Sequence, residues 1–224
     1  MKKTQLIFKH LVGTSIFFLV LFIAAGRINY WQAWIYVAIG LIMVLVSYTF
    51  LNIDAELSNE RSNPGEGAKK WDKIILGISF LVTIMMFVTA GLDSGRYNFS
   101  PQFHWSLYLI GIILTITGQL LFLIAQKQNK FFSSIVRIQK DRGHTVCNTG
   151  LYKIVRHPAY LGSIIQSLGF PLLFGSLWSI IPITFSIILL VTRTYLEDKT
   201  LINELVGYRE YTQKTRYKII PYLF

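Results

Sequence analysis

Four long apolar runs dominate the chain: Leu11 to Ala25, Trp34 to Leu51, Ile74 to Leu92 and Trp105 to Ala125. They read as helices crossing about 30 Å of hydrocarbon, where a backbone without water must satisfy its own hydrogen bonds. A fifth apolar block, Tyr160 to Leu196, is interrupted by Pro171, Gly175-Ser176 and Pro182. A helical hairpin of two short spans, about 17 residues each, fits it. The expected fold is therefore an all-α integral membrane protein with about six transmembrane helices, the last two a short hairpin. A hydrophobic content of 53% with only 15% charged residues points the same way.

The charges are few but lopsided, with 22 Lys and Arg against 11 Asp and Glu, a net charge of +11. Such an excess suits either a nucleic-acid binder or a protein on an anionic membrane face. Its distribution favours the membrane. All basic residues except Arg27 and Arg96 fall in the amino terminus (Lys2, Lys3, Lys9), the second loop, the fourth loop or the tail from Arg193. By the positive-inside rule these segments, and so both termini, are cytoplasmic. Topology accounts for the basic excess, and no nucleic-acid partner is expected. Lys2, Lys3 and Lys9 precede a first run that lacks a small-residue cleavage site, so it reads as a retained helix. Trp31, Trp34, Trp71, Trp105 and Trp178 stand where interfacial anchors belong.

One cysteine, Cys147, forbids an intramolecular disulfide, and the four histidines lack the HExxH spacing of a zinc hydrolase; no metal site is expected. The spans carry almost no ionisable residues, which argues against an ion pump or proton relay. The second loop, Asp54 to Lys73, holds the turn-forming run Ser62-Asn63-Pro64-Gly65-Glu66-Gly67 and reads as a solvated linker. Polar groups instead gather in two stretches, Asn129 to Tyr160 and Arg193 to Pro221.

In the first stretch Arg156-His157-Pro158 precedes an apolar helix, with Pro158 suited to its first turn. Free backbone donors there, beside Arg156 and His157, would form a small anion site; the plainer reading is a helix start whose basic side chains reach headgroups. Tyr152 and Tyr160 bracket it and could offer π faces to an adenine or a sulfonium, although each alone reads as a belt residue. His144 alone reads as an ordinary loop histidine and Cys147 as an inert small side chain. In the second stretch Arg193 and Glu197 stand four apart on a helix and within mutual reach. Beyond them Leu201, Glu204, Leu205, Tyr208 and Tyr211 mark a short amphipathic helix lying on the surface.

Taken together, Gly143-His144-Thr145-Val146, Gly150-Leu151-Tyr152, Val155-Arg156-His157-Pro158-Ala159-Tyr160-Leu161-Gly162, Arg193-x-x-x-Glu197-Asp198, Gly207-Tyr208-Arg209-Glu210-Tyr211 and Arg216-Tyr217-Lys218-Ile219-Ile220-Pro221 form a pattern. It resembles the isoprenylcysteine carboxyl methyltransferase family, and also the related phospholipid methyltransferases. The likeness runs from Asn129 to Pro221; the earlier spans match only as hydrophobic helices.

The resemblance implies an S-adenosylmethionine-dependent membrane methyltransferase with a cytoplasmic cofactor pocket. Residues 1–126 would form an amino-terminal four-helix region, and residues 127–224 the cofactor loop, hairpin and tail of one integrated domain. His144, Thr145, Val146 and Cys147 would line the pocket, with Tyr152 packed on it. Arg156 would flank the cofactor, while His157, Pro158, Ala159 and Tyr160 would hold its amino-acid end and adenosine. Glu197 would accept from its ammonium or ribose hydroxyls, and Arg193 would face the substrate. That substrate is expected to be a lipophilic small molecule, lipid or prenylated acceptor, with membrane lipids as surroundings. Where the family pattern has acidic residues in series after the arginine, this chain has Glu197, Asp198 and then Lys199. Two other readings stay open on the residues alone. One is an NADPH-dependent sterol or steroid reductase using Lys140, Arg142, Lys153 and Arg156 for a 2′-phosphate; the other is a non-catalytic membrane scaffold.

Overall fold

The computed structural model describes residues 3–53, 55–62 and 66–223. Lys2, Asp54 and Asn63-Pro64-Gly65 of the segments discussed above lie outside the described residues, as do the side chains of Lys3, Lys9, His10 and Ser62. Among the described residues eight α-helices follow one another: α1 (Lys3–Ala25), α2 (Trp31–Leu45), α3 (Ala55–Ser62), α4 (Lys70–Ala90), α5 (Trp105–Gln128), α6 (Pro158–Phe174), α7 (Ile180–Glu204) and α8 (Tyr208–Lys214). α2 and α4 run on into π-helical turns at Val46–Phe50 and Gly91–Tyr97. No strand occurs among the described residues.

Among the described residues four helical segments are long and apolar enough to cross a membrane: Trp31–Phe50, Lys70–Tyr97, Trp105–Gln128 and Ile180–Glu204. Leu11–Ala25 and Pro158–Phe174 are shorter apolar helices. The hairpin is present but unequal, with 17 residues in α6 and 25 in α7. Its break falls at Gly175, whose φ of 63° is left-handed, while Pro171 remains inside α6 and Pro182 sits in the first turn of α7. Proline is tolerated at a helix start and glycine at a left-handed helix end, so the sequence places this turn for simple steric reasons.

α5 and α6 are antiparallel and joined along a seam of small residues. A Cβ on Gly111 would lie 2.3 Å from Leu173 N, and one on Gly118 would lie 2.4 Å from Gln166 N. From the other side, a Cβ on Gly162 would meet Gly118 O at 2.6 Å and one on Gly169 would meet Gly111 O at 2.7 Å. Glycine repeated at seven-residue intervals on both helices lets their backbones touch, the close approach by which helices associate when lipid removes the hydrophobic drive. The remaining core, with Leu21, Tyr30, Phe87, Phe170 and Phe174, ties α1, α2 and α4 to α6. Outward positions such as Phe80, Leu81, Met85, Ile113, Ile181 and Ile188 stay exposed and apolar, as a lipid-facing surface requires.

At the hairpin-tip end, Asp93 is buried and fully used: it accepts from Ser100 N (2.7 Å) and from the hydroxyls of Ser100 and Ser176 (both 2.6 Å). The tip is thereby pinned to the end of α4, and polar groups free for chemistry are left to the opposite end.

Two expectations are corrected here. The second loop is not merely a solvated linker: it folds into α3, buries Leu57 and Ser58, and sends Arg61 inward. The segment after α7 does not lie on the surface either. Leu205, Tyr208 and Tyr211 are buried, because the chain turns at Gly207 (φ 82°) and folds α8 back against α7.

Candidate functional site

A cavity of about 290 Å³ opens at the end of the bundle opposite the hairpin tip. Its walls are the connection between α5 and α6, the start of α6, the last turns of α7 and the following turn into α8, completed by Arg61 from α3 and Leu76 from α4. Of the residues expected at the site, His144, Thr145, Val146, Cys147, Tyr152, Arg156, His157, Ala159, Tyr160, Arg193 and Glu197 all line it. Pro158 does not; it is fully buried at the first position of α6, where it sets the helix start.

One buried acceptor organises the α6 side. Arg156 binds Asp198 through two parallel contacts, Nε to Oδ1 at 2.8 Å and Nη2 to Oδ2 at 2.9 Å, and donates from Nη1 to the carbonyls of Thr215 (2.8 Å) and Arg216 (2.6 Å). His157 Nε2 lies 3.4 Å from Asp198 Oδ1, and Tyr208 donates to that oxygen at 2.9 Å. The start of α6, the end of α7 and the tail are thus clamped around a carboxylate that is 2% exposed. This reshapes the expected anion site at the helix start. The N–H groups of Arg156 and His157 are taken by the carbonyls of Tyr217 (2.9 Å) and Lys218 (2.8 Å), and Pro158 has none to give.

Arg193 and Glu197, expected to pair, instead hold different partners. Arg193 donates from Nε to Asp72 Oδ1 at 2.7 Å and from Nη2 to Ser134 O at 2.9 Å. Asp72 is fully buried and also accepts from Val136 N at 2.7 Å, which fixes residues 134–136 as a cavity wall. Glu197 Oε2 accepts from Tyr160 at 2.5 Å, and the Tyr160 ring packs between the stacked His157 ring and the Arg193 guanidinium, 5.6 Å from each. The i, i+4 spacing brings Arg193 and Glu197 to one face, but better acceptors and donors from other elements reach them first. Arg193 Nη1 donates to no group among the described residues.

His144 accepts from Gln139 N at Nδ1 (3.3 Å) and packs on Phe131 at 4.5 Å, so its neutral ring carries the proton on Nε2. Burial, with the charges of Arg137 and Arg142 nearby, pushes its pKa down to about 4. Burial raises the Cys147 thiol, which donates to Gln128 O; it is neutral and poorly nucleophilic. No group of three or more His, Cys, Asp or Glu side chains suited to a metal occurs among the described residues.

Several cavity residues escaped the sequence reading: Arg61, Phe131, Phe132, Arg137, Tyr208 and Tyr211. Phe131, Phe132 and Arg137 lie within the polar stretch already singled out, where an adjacent aromatic pair amid polar residues was the available signal. Arg61 carried none, because it stands among turn-forming residues 70 or so positions from the rest of the site.

Comparison with known proteins falls on the same residues. Residues 109–203 match the model of the isoprenylcysteine carboxyl methyltransferase (ICMT) family. Through that stretch the chain is similar to the ICMT family. A probable protein-S-isoprenylcysteine O-methyltransferase of Oryza sativa subsp. indica is 23% identical over 114 residues, 50% of this chain and 60% of that one. The protein-S-isoprenylcysteine O-methyltransferase of Schizosaccharomyces pombe is 29% identical over 53% of this chain and 56% of its own length, and that of Saccharomyces cerevisiae 31% over 43% and 38%. The matches thus span less than two thirds of these relatives. The solved structure of the eukaryotic intramembrane Ras methyltransferase ICMT superposes with a TM-score of 0.55 at 20% identity, covering 93% of this chain and 73% of that one. The fold is therefore ICMT-like over nearly the whole chain, including the amino-terminal helices that the family model does not reach, and the protein is an integral membrane protein with several apolar helices.

Proposed function

We propose that this protein methylates the carboxylate of a lipophilic, isoprenylcysteine-like acceptor, using S-adenosylmethionine as donor. The observation that carries the reading is the cavity itself, in which the ICMT-matched residues converge with the tail. Its groups fit such a donor. Arg137 lines the cavity with a buried Nε that has no acceptor among the described residues, a donor suited to the cofactor's carboxylate. Glu197 has Oε1 left for an ammonium or ribose hydroxyl, His144 offers Nε2–H, and Phe131, Tyr208 and Tyr211 offer aromatic faces.

When bound, the cofactor supplies a methyl group on a sulfonium leaving group. The chain's own part is positioning and exclusion of water. Arg193, anchored by Asp72 and Ser134, holds the acceptor's carboxylate through its remaining donors, with little ordering left to do on binding. A carboxylate is already deprotonated, so no general base is required. This agrees with a neutral His144 and with His157 facing Asp198. Leu76, Phe122 and Phe132 supply an apolar wall for the hydrocarbon part of the acceptor.

In this reading all six apolar helices cross the membrane, with both termini and the cavity on the cytoplasmic face, as the positive-inside pattern directs. Residues 1–126 and 127–224 act as one unit, since Arg61 and Asp72 of the first complete the cavity of the second. The reductase reading is not favoured. Of Lys140, Arg142, Lys153 and Arg156, only Arg156 lines the cavity, and it is committed to Asp198.

Calorimetric titration of the purified protein in detergent tests the donor: saturable binding of S-adenosylmethionine and none of NADPH is expected, and the reverse result overturns the reading. Transfer of labelled methyl to N-acetyl-S-farnesyl-cysteine tests the acceptor. Arg193→Ala should keep cofactor binding and lose turnover; retained turnover would remove Arg193 from acceptor contact, and no transfer by the native protein would overturn an isoprenylcysteine-like carboxylate as the acceptor.

A further inference from the structure

Four arginines turn towards the interior at the cavity end of the bundle, and three have a carboxylate: Arg137 has Glu60 and Asp141, Arg156 has Asp198, and Arg193 has Asp72. Arg61 has none among the described residues. Its Nη1 makes one long contact, 3.4 Å, to the neutral Gln126 Oε1. Its guanidinium otherwise rests against two edge-to-face rings, 4.6 Å from the centroid of Phe122 and 5.3 Å from that of Phe132, both cavity residues. A half-buried cation held by π faces and one amide oxygen has given up water without gaining a counter-charge, an arrangement that costs stability unless an anion arrives.

The position is built, not accidental. The carbonyl of Arg61 accepts from Ser134 Oγ at 2.8 Å, so the end of α3 is fastened to the wall whose Ser134 carbonyl also holds Arg193. Both arginines thus line the same cavity at Ser134; burial brings the Arg61 pKa down to about 10, with the Arg193 charge contributing. Even so lowered, Arg61 remains charged at neutral pH.

Resting on the methyltransferase reading, we infer that Arg61 is a second acceptor-binding residue, which together with Arg193 forms a two-guanidinium seat for the anionic group of the acceptor. Arg193 comes from the ICMT-matched stretch, whereas Arg61 lies outside it. Arg193, neutralised by Asp72, orients the anion; Arg61, carrying the uncompensated charge, makes the site select an anion over a neutral or cationic head group. The acceptor's hydrocarbon chain would then leave past Phe122 and Phe132, so one pair of rings serves both the cation and the lipid.

The test uses the full-length protein in detergent and three probes: N-acetyl-S-farnesyl-cysteine, its carboxamide, and farnesyl phosphate. The native protein should prefer an anionic probe to the carboxamide, and the choice between carboxylate and phosphate identifies the anion. Arg61→Gln should weaken the preferred anionic probe about tenfold or more and leave the carboxamide within about twofold, while Arg61→Lys restores part of the loss. Equal loss on charged and neutral probes would make Arg61 a packing residue and overturn the inference. So would unchanged affinity, or a native protein that does not discriminate anion from carboxamide. S-Adenosylmethionine titration of the same samples reports separately: failure there would sink the methyltransferase reading, while the anion preference would still be judged from direct probe binding.

Discussion

At the scale of single residues, the cavity end is governed by which charges are buried with a partner. Asp198 is the sharpest case. It gathers Arg156, His157 and Tyr208 at one carboxylate that water hardly reaches. Asp198→Asn keeps the shape but strips the charge that balances a buried guanidinium, and breaking such a pair costs about 3–5 kcal/mol. A lower unfolding temperature in detergent, with cofactor binding lost in proportion, is the expected outcome; an unchanged melt would show that the clamp is dispensable. His144 gives a pH dependence of known sign. Its folded pKa of about 4 lies below the ordinary 6.5, so the unfolded chain takes up the proton first as pH falls. Its contribution to stability is complete above about 6.5, declines between 6.5 and 4, and falls no further below. Melting curves of the native protein and of His144→Gln should therefore differ in slope within that window and run parallel above it.

At the scale of elements, the decisive contact is the glycine seam between α5 and α6. It sets the spacing of the two helices whose ends flank the cavity, and any side chain there meets backbone, which has little room to move. Gly118→Ala should destabilise the protein by about 1–3 kcal/mol, the range for overpacking, while Gly118→Leu should abolish the folded state and cofactor binding with it. Gly77→Ala on the open face of α4, where a Cβ meets nothing, is the control and should not lower the melt. The helices themselves were legible from apolar runs, and the hairpin break from Gly175. The pairing of α5 with α6 was not read, because glycine in a membrane helix signals either close approach or nothing, and only the partner's position decides which. The same limit explains α3: eight residues amid turn formers carry too little periodicity to announce a helix, and its burial comes from contacts with residues far along the chain.

At the scale of the whole molecule, the proposed orientation rests on the polarity of the two ends. One end closes on Asp93 and the hairpin tip; the other collects the basic loops, the tail and the cavity. In a Cys147→Ser background, cysteine placed at the exposed Lys153 should be labelled by an impermeant reagent only from the cytoplasmic side, and cysteine at Tyr97 only from the other. Labelling of both from one side would overturn the six-crossing topology.

The sequence by itself determined what depends on composition, local pattern and chemical type. Apolar length dictated membrane helices, the bias of Lys and Arg suggested an orientation, and the ordered run of His144, Tyr152, Arg156-His157 and Arg193-x-x-x-Glu197 marked residues that line one cavity. Only the tertiary structure decided who pairs with whom. Arg193 turned from Glu197 to Asp72, 121 positions away, and Tyr208 and Tyr211 moved from a presumed surface into the cavity wall. Arg61 entered from a segment that looked like a linker. The physical reason is common to all three. Spacing along a helix fixes only the direction of a side chain, whereas the partner of a buried charge is whichever group the packing of other helices brings within about 3 Å.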